Sequence, residues 1–108
     1  MSDDDQRSVP RAFTALYLTP GGHRLREPRA FVAERHELCE DMAQMLTQPA
    51  QDKRFELGVS EDVVLQRMHQ GLLADAALLS ADEAQWVVCR LAELLDWPQP
   101  EGTVLPGG

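Results

Sequence analysis

Apolar positions in this chain recur at helical spacing in three long runs. The clearest covers Ser80 to Trp97, where Ala84, Val87, Val88, Leu91, Leu94 and Leu95 form one stripe. Ser80, followed three residues later by Glu83, predicts a capping box in which each side chain satisfies a backbone N–H left over by the first turn. Pro98 closes the run, since it has no N–H to give and disfavours helical geometry at Trp97.

A second run opens at Pro28, which suits a first helical position, and reaches about Thr47 with Phe31, Leu38, Met42, Met45 and Leu46 as its core stripe. Glu34, Glu37, Glu40 and Asp41 make its other side acidic. Arg35 falls toward the apolar side, where it snorkels or pairs with an acid. Gln48-Pro49 starts a polar break, after which Phe55, Leu57 and Val59 are placed to tuck under the next helix. That third run is capped by Ser60 with Glu61 and Asp62, and Val64, Leu65, Met68, Leu72, Ala76 and Leu79 line one face. Gly71 inside it implies close approach of another helix, and Asp75 near the apolar face predicts loosening before Ser80.

The short run from Pro10 to Thr19 has two readings. Phe13, Leu16 and Tyr17 fit a helical turn, while Phe13, Ala15 and Tyr17 fit one side of a strand. With no second strand to pair with, it reads as a short helix or arm packed on the bundle. The pattern therefore predicts an all-α fold: a small bundle of three principal helices with a short N-terminal helix or arm. The helical domain spans 10–97, between an acidic N-terminus, 1–9, expected to be disordered and a tail, 98–108, expected to be flexible.

Length and charge narrow the picture. The chain has 108 residues, enough for one domain with a small core that self-association would help, so a homodimer is expected. Residues 1–29 hold five arginines against four acids, and residues 30–108 hold five basic residues against fourteen acids, so the overall −8 is carried by the body. An acidic body argues against direct nucleic-acid binding and suits a basic protein partner or a solvated surface. No apolar run approaches the roughly 20 residues of a membrane span, and Met1-Ser-Asp-Asp-Asp5 lacks the basic and apolar regions of a signal peptide. The chain reads as cytoplasmic, with Cys39 and Cys89 as free thiols.

Candidate chemistry is sparse. His36 and Cys39 are metal-capable and three apart, but His23, His69 and Cys89 supply no close-spaced second pair. Neither cysteine has the neighbouring base and positive surroundings of a nucleophile, and no glycine-rich loop is placed to hold a phosphate. No catalytic, metal or cofactor residue is assigned, and the chain reads as a non-enzyme. What remains is the side of the last helix carrying Trp86, Arg90, Glu93 and Trp97. Tryptophan and arginine anchor many interfaces, which makes these four the candidate partner-binding residues. The competing reading is that Phe13, Leu16 and Tyr17 of the arm cover this face from within the monomer.

In size, acidity and helical content the chain resembles the small bacterial antiactivators that bind LuxR-type quorum-sensing regulators. That resemblance of gross character transfers no residues; it implies occlusion of the regulator's dimerisation or DNA-binding surface by a helical face. The expectation is a small acidic regulator that sequesters a protein partner such as a DNA-binding transcriptional regulator. The alternative is a structural or chaperone-like accessory subunit of a larger assembly.

Overall fold

Two helix starts are fixed by serine side chains and two follow a proline. The computed structural model describes residues 9–99; the acidic N-terminus, apart from Val9, and the tail beyond Gln99 lie outside the described residues. Four α-helices follow in order: α1 (Arg11–Thr14), which runs into a 3₁₀ turn (Ala15–Tyr17), α2 (Arg29–Leu57), α3 (Glu61–Leu73) and α4 (Ala81–Leu95). Ser60 Oγ accepts the Val63 N–H at the start of α3. At the start of α4, Ser80 Oγ accepts the Glu83 N–H at 3.1 Å while Glu83 Oε1 accepts the Ser80 N–H at 2.9 Å, completing the capping box.

Residues 11–17 are helical and pack inward, and only Leu18 is extended, in a single antiparallel bridge to Leu25. The turn between them is closed by Thr19 N–H to the Arg24 carbonyl and Arg26 N–H to the Tyr17 carbonyl, with Gly22 at φ 75°. The arm is thereby folded back against the head of α2.

Three boundaries differ from the sequence reading, the simplest being α4, which ends at Leu95 and leaves Trp97 beyond the helix; the other two lie in α2 and α3. The first concerns α2, which does not stop near Thr47 but carries Pro49 in its interior and ends at Leu57. Pro49 withholds an N–H from the Met45 carbonyl, a local penalty of about 3 kcal/mol. Against it stand the full burial of Ala50 in the core, a Gln48–Asp52 hydrogen bond one turn apart and the Arg54–Glu61 ion pair to α3. Gly58 in the left-handed region (φ 64°), its N–H on the Arg54 carbonyl, then terminates the helix. As a result Phe55 and Leu57 do not tuck under α3; Phe55 is 88% exposed, and only Val59 packs inward. The second concerns α3, which ends at Leu73 rather than running on to Leu79, leaving Ala76 exposed. Gly71 is also exposed, with no helix against it among the described residues.

The core is organised by α4. Glu83, Ala84, Trp86, Val87, Val88, Cys89, Leu91 and Ala92 are all buried, so most of its circumference is covered and it is a central helix rather than a two-sided one. Its largest interface is with α2. Small residues on α2 (Cys39, Ala43, Ala50) face it, allowing the backbones to approach closely. One core cluster joins the arm to α2 and α4 through Phe13, Leu16, Tyr17, Val32, Trp86 and Val87. The other joins α2, α3 and α4 through Ala50, Val64, Leu65, Val88 and Leu91. Among the described residues no helix is long and apolar enough to cross a membrane.

Candidate interaction site

Trp86, Arg90, Glu93 and Trp97 do not form one outward face. Trp86 is 4% exposed: the Phe13 ring meets it edge-on at 5.1 Å and the His36 ring at 5.5 Å, so the arm covers it from within the chain. Trp97 is not on the helix at all. Asp96 adopts φ 60°, the chain turns, Trp97 N–H bonds the Ala92 carbonyl, and the indole packs half-buried on the second cluster. Gln99 continues the turn-back, its side-chain amide donating to the Cys89 carbonyl at 3.2 Å.

Three of the four expected residues do meet. Trp86, Arg90 and Glu93 line a cleft of about 320 Å³ with Pro10, Ala12, His36 and Glu40. Arg90 is already committed there, gripping Glu40 of α2 with two bonds (2.8 and 3.1 Å) and reaching Glu93 at 3.1 Å. The arginine beside it holds the Glu40 carboxyl below the usual range. His36 presents a buried Nε2 that has no hydrogen-bond partner among the described residues, and burial pulls its pKa down, which favours the neutral ring at pH 7. The cleft is thus a partly open seam between the arm, α2 and α4, with its charged side chains already paired across it.

The strongest electrostatics lie elsewhere, at Glu83. Its carboxylate is 2% exposed and takes the Tyr17 hydroxyl, two bonds from Arg35 (2.7 and 2.8 Å) and the Ser80 N–H. Arg35 also donates to the Leu78 carbonyl at 2.8 Å. Burial raises the Glu83 pKa, but these four donors outweigh it and hold the carboxyl near about 2. Burial, with the carboxylate close by, pushes the Tyr17 phenol up. A carboxylate so fully occupied has no lone pair left for a substrate; its work is to tie arm, α2, the α3–α4 turn and α4 together. Burial also lifts the thiols, Cys39 to about 12 and Cys89 to about 11.

These shifts set an expected pH profile. Glu83 moves from 4.5 to about 2, so its contribution of about 3 kcal/mol is complete above pH 4.5 and lost as pH falls toward 2. His36, depressed from 6.5, adds an earlier loss below that value. Tyr17 and the two thiols favour their neutral forms, so stability falls again as pH rises above about 9. Urea midpoints measured from pH 3 to 11 should show a plateau between the two limbs; a midpoint unchanged from pH 7 to pH 3 would contradict this reading of Glu83.

Among the described residues, an exposed apolar surface lies on α2, where the Phe31 ring meets Tyr17 edge-on at 6.1 Å. Phe31, Leu38 and Met45 lie seven apart on one stripe, with Met42 between the last two, beside the buried face of the helix. Phe31 is 40% and Met45 68% exposed. Leu38 and Met42 are half-buried and pack on the core cluster together with Leu72 of α3. Arg35, from within this stripe, reaches the Leu78 carbonyl, which brings the α3–α4 turn alongside; Leu73 and Leu78 are themselves 43% and 40% exposed. Sequence reasoning named Phe31 and Met45 as core, because a wheel places them beside the apolar face without showing how far the neighbouring helices reach. No protein-family model matches the chain, and no curated protein or solved structure matches it either.

Proposed function

We propose that the protein is a non-catalytic binding protein that acts by covering a surface of another protein. The observation that carries this reading is the apolar row on α2, exposed at Phe31 and Met45, with the exposed Leu78 of the α3–α4 turn beside it. Large side chains grouped in this way mark contact surfaces more often than isolated exposed ones do. The body's charge of −9 over residues 30–108 points to a basic partner surface. Proteins that grip nucleic acid carry such surfaces, so a DNA-binding regulator held away from its site is the partner class that fits. Two buried thiols with no disulfide suit a reducing cytoplasm.

The test is affinity capture from lysate of the source cells, run in parallel with a Met45→Lys variant. Met45 is 68% exposed, so the variant should keep its circular dichroism spectrum and melting temperature. The expected result is recovery of a DNA-binding protein that falls at least tenfold with the variant, about 1.4 kcal/mol or more. Recovery of a multi-subunit assembly would favour the accessory-subunit role instead. Equal recovery by both forms would remove α2 from the interface.

A further inference from the structure

The open face of α2 has a shape and a charge that together specify what would lie on it. Its apolar positions, Phe31, Leu38, Met42 and Met45, span four turns, roughly 21 Å of helix axis. The α3–α4 turn stands along one side through Leu78, whose carbonyl is bonded by Arg35. The other side is acidic. Glu34 and Asp41 each sit three residues past an apolar member of the row, and Asp52 and Glu56 extend the charge beyond Met45. All four are exposed, and none makes an ion pair among the described residues. Of the basic side chains around it, Arg35 holds Glu83, Arg54 holds Glu61 and Arg90 holds Glu40, while Arg24 and Arg29 line the adjoining cleft with Glu27, Glu34, Glu37 and Asp41, so acid stays in excess on that flank.

A row of apolar side chains at three- and four-residue spacing is the complement of another helix with the same spacing. An excess of exposed carboxylates along one flank selects lysine or arginine on the visitor and repels acid there. We propose that this face is the docking surface for a basic amphipathic helix of the partner protein, seated along α2 between Phe31 and Met45. A second copy of this chain would bring its own acidic flank against these carboxylates, and the same repulsion disfavours it. The inference rests on the binding reading above and adds to it the chemistry of the bound element.

Two synthetic amphipathic peptides test it on the full chain. They share leucines at alternating three- and four-residue spacing, and differ only in carrying lysine or glutamate at the flanking positions. The lysine peptide should bind at least tenfold more tightly by fluorescence anisotropy, and its affinity should fall as salt is raised. Amide shifts in labelled protein should map to residues 31–56 and to Leu73 and Leu78. Reversing the flank with Glu34→Lys and Asp41→Lys, both at exposed positions, should abolish the preference without changing the melting temperature.

Equal affinity for both peptides, no binding of either, or shifts centred on the Trp86 cleft would each overturn the proposal. So would light scattering showing a dimer that Met45→Lys converts to monomer, since a second copy would then hold the surface. If Met45→Lys loses a captured partner while the lysine peptide fails to bind, the binding reading stands and the basic-helix assignment falls. If both experiments fail, both readings fall.

Discussion

Replacing Glu83 by alanine should lower the folding free energy by about 3–5 kcal/mol, the range for a buried ion pair that loses one partner. A domain of this size has roughly 5–15 kcal/mol in all, so the variant should be close to unfolding at room temperature. The size of the effect comes from what is stranded. Arg35, whose side chain is 25% exposed, keeps its charge without a counterion, the Tyr17 hydroxyl loses its acceptor, and the Ser80 N–H loses its side of the capping box. Ser80→Ala removes only the hydroxyl half of the capping box and should cost about 1 kcal/mol. The comparison separates the two roles of the residue. If urea denaturation gives Glu83→Ala no larger an effect than Ser80→Ala, the long-range bonds contribute nothing and Glu83 is merely a cap.

Trp86→Ala should be nearly as damaging, at about 3–5 kcal/mol for an aromatic removed from a packed interior. The indole is boxed by Phe13 and His36, and removing it leaves both rings facing a void while the arm loses its seat. Trp97, half-buried and beyond the helix end, should cost less than half as much. The double variant is therefore expected to unfold rather than to remain folded and lose a partner. A Trp86→Ala protein of unchanged melting temperature that no longer bound its partner would restore the tryptophan to the surface.

How far these features can be read from the sequence depends on whether the deciding interaction is local. Ser60 and Ser80 mark helix starts because the bonds they make close within three residues. Pro49 misleads for the converse reason. Its penalty is local and visible, but what outweighs it is the seating of Ala50 against α3 and α4, which no window around residue 49 contains. The helix-forming run from Ala50 to Leu57 with Gly58 behind it was the available signal. Trp86 fails in the same way: helical periodicity gives its direction from the α4 axis, and the covering ring comes from Phe13, far away in the chain.

Glu83 was legible as a cap and illegible as a hub, since its partners lie 48 and 66 residues away. One trace of that role is present, an arginine on the apolar side of α2 that needs an acid to meet it. The open row on α2 could not be distinguished from core, because Phe31 and Met45 continue the same stripe as residues that are covered.

Cys39 and Cys89 give the folded state one further property. Both sulfurs are out of solvent's reach and held as thiols at neutral pH, and alkylation or oxidation proceeds through exposed thiolate. A maleimide or peroxide therefore finds no nucleophile until the helices part. The pace at which these two atoms are consumed becomes a clock for the opening of the bundle.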